Sequence, residues 1–114
     1  MNPELKKTVR VLRAASKKGG PAIWAALADD LDKAKRRRVT VNLSRINRHS
    51  KAGDVVAVPG KVLAAGSLKH PVTVAAFSFS EKAREKMALA GGRALPLTEL
   101  LTEGVEPSNI RIVK

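Results

Sequence analysis

Residues 54–63 read Asp-Val-Val-Ala-Val-Pro-Gly-Lys-Val-Leu, and this stretch decides the class of fold. Its first half, Asp54–Val58, is rich in β-branched side chains that pack well on a pleated surface, which predicts a strand. We expect Pro59-Gly60 to end that strand in a tight turn. Further apolar runs at Lys61–Ala65 and Val72–Phe77 are short and bounded by Gly or Pro, so they predict two more strands rather than helices.

A helix and a last strand follow these runs. Ser80 is a suitable N-cap for a helix over Glu81–Leu89, and the glycine pair that follows is a typical stop signal. Leucines form a short element around Thr98, and Ile110–Val113 predicts the final strand. Residues 52–114 are therefore predicted to form a small, irregular α/β core of the ββα type, with three short strands, a helix and a last strand.

Two short helices are predicted before this core. Apolar residues recur at helical spacing in both of them: Leu5, Val9, Leu12 and Ala15, then Ile23, Trp24, Leu27, Ala28 and Leu31. Asn2 and Pro3 are typical of a helix start, Gly19-Gly20 of a helix end, and Pro21 of a second start. We expect the ring of Trp24 to be buried among the leucines of its own helix.

A polar segment joins the helices to the core. Alternation of apolar and polar residues over Val39–Leu43 predicts a short strand or an extended lead-in, and Asn42 could cap a brief helix over Leu43–His49. We therefore divide the chain into a basic N-terminal helical extension, residues 1–51, and a small α/β core domain, residues 52–114.

The positive charge is concentrated in the first of these two parts. The chain has 114 residues and a net charge of +12, and residues 1–51 carry 14 Lys and Arg against 4 Asp and Glu. Residues 52–114 carry 8 against 6. Charge gathered on one part of a chain favours a polyanionic partner, because each phosphate that Lys or Arg neutralises releases condensed counterions. Nucleic acid is the expected partner.

The scarcity of aromatic residues and cysteines excludes several other classes. Phe77, Phe79 and Trp24 are the only aromatic residues, which disfavours binding by stacking of single-stranded bases. The absence of cysteine excludes disulfide frameworks and thiolate zinc sites and is typical of a reducing interior. No apolar run approaches the about 20 residues that a membrane-spanning helix needs. We expect a cytoplasmic protein that recognises nucleic-acid backbone and shape.

Basic residues of the first part are the main candidate contacts. A solvated loop or a localisation signal would by itself explain Lys33–Arg38, but the basic helix before it favours phosphate contact, because arginine offers a planar fork that matches a phosphate. Lys61 would sit at the predicted turn, where an ordinary turn explains it equally well. The candidate RNA-binding residues are Lys6, Lys7, Arg10, Arg13, Lys17, Lys18, Lys35, Arg36, Arg37, Arg38, Arg45, Arg48, Lys51 and Lys61.

No pattern in the sequence predicts catalysis. The one acidic cluster is Asp29, Asp30 and Asp32. Magnesium could be imagined there, but charge balance with the neighbouring Lys33–Arg38 is the simpler explanation. His49 and His70 lie far apart in sequence and show no metal-ligand spacing. We therefore predict no catalytic residue, no metal and no cofactor.

Several blocks of sequence together resemble one known family. In the first part they are Trp24, Ala26–Ala28, Leu31–Lys33, Arg36–Arg38 and Val41–Ile46. In the second part they are Val58–Leu63, Gly66–Leu68, Val72–Phe77, Phe79-Ser80 and Ile110–Ile112. In this order they resemble the archaeal and eukaryotic large-ribosomal-subunit protein family eighteen-e, which is related to the bacterial large-subunit protein fifteen family.

The resemblance implies a structural component of the large ribosomal subunit that is not an enzyme, located at the ribosome in the cytoplasm. Its implied partners are large-subunit rRNA, along which the basic N-terminal part would lie, and neighbouring ribosomal proteins. We expect no membrane, no small-molecule substrate and no homo-oligomer. Two alternatives share the charge: a DNA-packaging or nucleoid architectural protein, and a small RNA-processing enzyme that holds magnesium at the acidic cluster.

Overall fold

The structure is a computed structural model that describes residues 3–33 and 39–114. Within these residues the elements are, in chain order, α1 (Pro3–Lys17), α2 (Ala22–Leu31), β1 (Val39–Asn42), α3 (Leu43–Arg48), β2 (Val55–Leu63), β3 (Thr73–Phe79), α4 (Glu81–Leu89), β4 (Arg93–Pro96), two 3-10 helices (Leu97–Leu101 and Pro107–Asn109) and β5 (Ile110–Ile112). The predicted α/β class is confirmed. The candidates Lys35, Arg36, Arg37 and Arg38 and the suggested cap Asn2 lie outside the described residues.

The strands form one parallel sheet built around β2. Along one edge β2 pairs with β3, which in turn pairs with β4. Along its other edge β2 pairs with β5 at Val55–Ala57 and with β1 at Gly60–Leu63, so β5 and β1 lie end to end. Parallel strands need long crossover connections. Here they carry α3 and α4 to one face of the sheet, while α1 and α2 precede the first strand and cover the other face.

Strand β2 corrects one prediction, because Pro59-Gly60 does not end it. The strand continues to Leu63, so the two strands and the turn that we expected are a single strand. The register against β3 shifts between Val58 and Lys61, which absorbs the pair as a bulge. Proline has no N–H to donate, and a bulge interrupts the ladder where that donor would be needed. Lys61 is thus an exposed strand residue and not the tip of a turn.

Strand β4 was not predicted. Its four residues, Arg93–Pro96, end in a proline and include one buried leucine, Leu95. The strand forms because β3 offers a free edge: Thr73 to Ala76 pair with Arg93 to Pro96. A pairing of this kind depends on the partner strand and leaves no signal in the short segment itself.

Helices cover the sheet on both faces. On one face α1 and α2 pack over Ala57 and Ala75 and bury the apolar set predicted for the two helices, with Trp24 only 6% exposed. On the opposite face α3 and α4 pack over β2 and β3. The buried residues on that side include Val56, Val58, Val74, Ala76, Leu43, Ile46, Ala83 and Met87. The predicted burial of Trp24 is confirmed.

The proposed boundary at residue 51 remains a prediction about domains. The contacts join the two parts closely: β1 extends the sheet by pairing with β2, and the leucines of α1 and α2 share a hydrophobic cluster with Ala57 and Leu97. The two helices therefore have their apolar sides against the sheet, and the cations of α1 lie on its exposed side.

Of the two helix caps predicted at Ser80 and Asn42, the structure shows the cap hydrogen bond at Ser80 and not at Asn42. Ser80 Oγ accepts a hydrogen bond from the backbone N–H of Ala83 at 3.2 Å, which confirms the cap of α4. Asn42 precedes α3 as expected, but its side chain makes no cap hydrogen bond. Its Oδ1 accepts from the N–H of Ala65 at 3.3 Å instead and ties the end of β1 to the loop after β2.

Replacing Gly60 by alanine is expected to destabilise the sheet, because the new Cβ would overlap the backbone carbonyl of Val39 on the paired strand. Backbone atoms cannot move aside cheaply, so we expect a loss of about 2 kcal/mol in the free energy of unfolding. Urea denaturation followed by circular dichroism measures it. The control Lys61→Ala changes the next, exposed residue and is expected to alter stability by less than about 0.5 kcal/mol. Equal stability of the two variants would contradict this account of the bulge.

Candidate nucleic-acid interface

Four of the candidate residues line one groove along α1. They are Lys6, Arg10, Arg13 and Lys17. Spacings of four, three and four return each side chain to nearly the same side of the helix, and the first and last lie about 16 Å apart along its axis. The groove has a volume of about 470 Å³, and Val9, Ala14 and the acidic Asp32 also line it. We call this the α1 groove.

Arg13 differs from the other cations of the α1 groove, because it reaches across to α2. Its Nη2 lies 2.9 Å from Asp32 Oδ2 and 3.4 Å from Asp29 Oδ1. The hydrogen bond to Asp32 is the main cause that raises the pKa of Arg13. Within the described residues Lys6, Arg10 and Lys17 form no ion pair with a carboxylate. These three, and not Arg13, carry the unmatched charge of the groove.

Asp30 is the buried charge among the described residues, with 5% of its surface exposed. Its two carboxylate oxygens lie 3.0 Å from Lys33 Nζ and 2.9 Å from Lys114 Nζ. Burial alone would raise the pKa of this carboxyl, but the hydrogen bonds and charges of Lys114 and Lys33 outweigh burial and lower it. Three aspartates are thus matched by Arg13, Lys33 and Lys114, which supports the charge-balance explanation of the acidic cluster.

A second cationic surface lies beside α3, and we call it the α3 surface. Its members are Arg45, Arg48, His49, Lys51 and Arg111. They line two adjoining cavities of about 370 and 250 Å³, and both cavities include His49 and Arg111. Arg45 Nε donates to the backbone carbonyl of Lys114 at 3.2 Å, and its guanidinium has four further N–H groups. The α3 surface contains Arg111 from residues 52–114, and its other members come from residues 1–51.

Sequence reasoning missed Arg111. Its partner across the ladder is Val56, so its side chain projects from the sheet face that α3 covers. Its Nε lies 3.4 Å from the carboxylate of Asp54, which also accepts from the backbone N–H of Lys51 at 2.8 Å. Alternation in the last strand indicated an outward side chain, but its position beside Lys51 follows from the pairing of β5 with β2.

The remaining candidates lie apart from both surfaces. Lys7 lines a different cavity, together with Phe77 and Leu97, and Lys18 is exposed just after the end of α1. Lys61 is exposed on β2 opposite Thr40 of β1. The structure thus gathers seven of the predicted residues into two surfaces and leaves Lys7, Lys18 and Lys61 separate.

Other cations of the described chain have structural partners. Lys86 Nζ donates to the backbone carbonyls of Ala64 at 2.8 Å and Gly66 at 2.9 Å, which holds the loop after β2 against α4. The guanidinium of Arg84 lies 4.9 Å from the centre of the Phe79 ring. Positive charge alone therefore does not mark a ligand site.

The polar side chains of residues 3–33 and 39–114 show no arrangement suited to a metal ion, since no three His, Asp or Glu residues converge there. Ser50 Oγ donates to the carbonyl of Ile46 at 2.6 Å and lies 2.9 Å from His70 Nε2. The hydroxyl proton is thus engaged with the backbone at the end of α3. No helix in this part of the chain has the length and apolarity that crossing a bilayer requires.

Two exposed cationic surfaces on a small domain are the electrostatic feature expected of a nucleic-acid-binding protein. Residues 23–95 match the family model described as "Ribosomal proteins 50S-L15, 50S-L18e, 60S-L27A". The large ribosomal subunit protein eL18 of Methanothermobacter thermautotrophicus is 46% identical over 99% of this chain and 93% of its own length. The eL18 protein of Methanococcus maripaludis is 44% identical over 98% of the chain and 93% of its length. The chain belongs to this family of ribosomal proteins.

Family membership decides between the three classes of protein that the sequence left open. It confirms the resemblance and the prediction that the chain is not an enzyme, since this is a family of ribosomal proteins. The DNA-packaging protein and the RNA-processing enzyme are thereby set aside. The acidic cluster, which the enzyme reading needed for magnesium, is engaged in ion pairs instead.

Asp30→Asn is expected to lower the free energy of unfolding by about 1–2 kcal/mol at pH 7, because the variant leaves Lys33 and Lys114 without their buried partner. The lowered pKa of Asp30 means that its contribution is complete above about pH 4 and is lost as the pH falls through the lowered value. The difference between the variant and the wild type should therefore vanish at low pH.

Denaturation curves measured between pH 2 and pH 7 test this pH dependence. The control Asp29→Asn removes a carboxylate that is 71% exposed and should leave the stability nearly unchanged at every pH. An Asp30→Asn effect that stays constant with pH would show that the charge of Asp30 is not the cause.

Proposed function

We propose that this chain is a structural constituent of the large ribosomal subunit and that it binds folded large-subunit rRNA through phosphate and shape contacts. Neighbouring large-subunit proteins would be its other partners, and the cytoplasmic ribosome its place of action. The observation that carries the proposal is the α1 groove, whose unmatched cations belong to a member of a ribosomal protein family.

The α1 groove suits an RNA backbone better than a base edge. Lys6, Arg10 and Lys17 offer charge at intervals along one side of a rigid helix, as a chain of phosphates requires. Its other lining residues are the apolar Val9 and Ala14 and Asp32, whose carboxylate is paired with Arg13. In A-form RNA the deep, narrow major groove hides the base edges from side chains, so phosphates and shape are what a protein can contact.

The physical effect of such binding is to bring RNA segments together. Phosphates repel one another, and mobile counterions screen that repulsion only at the cost of being confined. Cations carried on a folded helix replace those counterions without further ordering of the backbone. The hydrophobic contacts that hold α1 on the sheet thus preorganise the helix that carries the charges before RNA arrives.

Binding to archaeal large-subunit rRNA is expected to depend steeply on salt. If six to ten phosphates are contacted, the affinity should fall by about 10³- to 10⁵-fold between 50 and 200 mM salt. Filter binding with labelled rRNA measures this, with generic duplex DNA as competitor. We expect the protein to bind the rRNA in preference to the duplex DNA. A shallow salt dependence, or equal competition by the DNA, would count against it.

Removing two cations from the α1 groove is expected to weaken rRNA binding. For Lys6→Ala with Arg10→Ala, we expect the affinity to fall by roughly 10- to 30-fold near 0.15 M salt and the salt slope to drop by about 2. The matched control is Lys82→Ala with Arg84→Ala, one lysine and one arginine on α4, where Glu81 and Glu85 lie on the same helix. An equal loss in the control would show that net charge alone decides binding.

A further inference from the structure

We infer that the outer side of α4 is a docking surface for a basic segment of a neighbouring protein, and not for RNA. This surface, which we call the α4 stripe, consists of four exposed residues: Glu81, Glu85, Ala88 and Leu89. The inference rests on the proposed function and deepens it. That proposal includes protein neighbours, but it names neither the surface nor the chemistry that would hold one of them.

The α4 stripe lies on the side of the helix that faces away from the sheet. With 3.6 residues per turn, its four members fall within an arc of about 100° and extend about 12 Å along the helix axis. Ala83 and Met87 lie on the opposite side of α4, where they are buried in the cluster over β2 and β3. The core thus fixes the helix by one side and leaves the stripe open to a partner.

Leu89 makes one end of the stripe apolar. Its side chain is 88% exposed, and it is the exposed large hydrophobic residue of residues 3–33 and 39–114. Ala88 is exposed beside it, and just beyond the helix the exposed Gly91 lies next to the exposed Pro71. A partner that covers this end would remove apolar surface from water. A single exposed leucine does not by itself mark an interface, so the argument also needs the charges beside it.

Carboxylates occupy the rest of the stripe. Within the described residues Glu81 and Glu85 form no ion pair, although the chain has a net charge of +12. Two cations of the same helix are directed to other groups: Lys86 Nζ donates to two backbone carbonyls of the loop after β2, and Arg84 lies over an aromatic ring. Lys82 flanks the stripe, which therefore has two carboxylates beside one ammonium.

The stripe is also on the far side of the sheet from the basic run. Helix α4 contacts β4, which forms one edge of the sheet. The described chain resumes after residue 33 at Val39, where β1 begins, and β1 lies at the opposite edge. The basic run Lys33–Arg38 therefore joins the fold at the edge away from α4.

A basic protein segment with an apolar side chain is the occupant that fits this chemistry. The carboxylates of Glu81 and Glu85 repel phosphate and attract lysine or arginine, and RNA has no aliphatic side chain with which to cover Leu89. A patch of this size binds weakly by itself. Inside a subunit rRNA would hold both proteins close together, so the effective concentration of the partner would be high enough for a weak contact to form.

Site-specific photocrosslinking in assembled archaeal large subunits tests this inference. The chain, with a diazirine-bearing amino acid in place of Leu89, is incorporated into subunits that are reconstituted from rRNA and the other subunit proteins. The subunits are isolated by sedimentation and then irradiated. We expect a crosslink to one ribosomal protein, within a segment rich in Lys and Arg that mass spectrometry identifies. The same probe in place of Ala14, in the α1 groove, should crosslink to rRNA and shows that both kinds of product are detected.

A second measurement tests whether the carboxylates matter. Adding Glu85→Lys to the chain that carries the probe at position 89 should lower the yield of the protein crosslink by at least about fivefold, because it places like charges opposite each other. The matched control is Glu99→Lys, which makes the same change of charge at an exposed residue of the first 3-10 helix and should leave the yield unchanged. An equal fall in both variants would show that net charge, and not the α4 stripe, is the cause.

Two further results would overturn the inference. A crosslink from position 89 to rRNA would show that α4 faces RNA. No crosslink from position 89, in subunits that contain the chain, would show that the α4 stripe faces solvent. Either result leaves the proposed function standing, because the chain would still be part of the subunit. Failure of the wild-type chain to enter the subunits would contradict the proposed function itself, and the docking surface with it.

Discussion

Burial of strand β2 on both faces is the constraint on which the rest of the structure depends. Val56 and Val58 pack towards α3 and α4, while Ala57 between them packs towards α1 and α2. A fully buried strand must be apolar at successive positions, which is why this stretch shows no alternation of polar and apolar residues. Because β2 pairs along both edges, it also brings the widely separated β1 and β5 to one edge, and with β5 it brings Arg111 beside the residues that follow α3.

Hydrophobic packing, and not charge, holds α1 and α2 on the sheet. Each fully buried leucine of α1 and α2 contributes about 1.5–3 kcal/mol, whereas exposed ion pairs contribute little. The excess of positive charge is therefore free for a partner, and the fold is not stabilised by it. The count of cations also overstates the unmatched charge, since Arg13, Lys33 and Lys86 have partners within the chain.

Much of the fold was predictable because its signals are local. Helical spacing predicted the buried faces of α1 and α2, and Ser80 predicted the start of α4, since a cap hydrogen bond spans only three residues. The failures were non-local. Pro59-Gly60 normally ends a strand, but here pairing on both sides of β2 carries the strand through as a bulge. Strand β4 forms because β3 has an edge at which it can pair. The four residues of β4 do not by themselves indicate a strand.

The sequence by itself determined the α/β class, the apolar faces of the helices, the concentration of charge in the first 51 residues and the resemblance to a ribosomal family. These depend on composition, on periodicity and on short blocks of residues. Tertiary structure alone decided which cations are free, which are matched by Asp29, Asp30 and Asp32, and that Arg111 joins Arg48 and Lys51. The physical reason is that charge acts through distance in space, and those distances are set by the pairing of strands far apart in the chain.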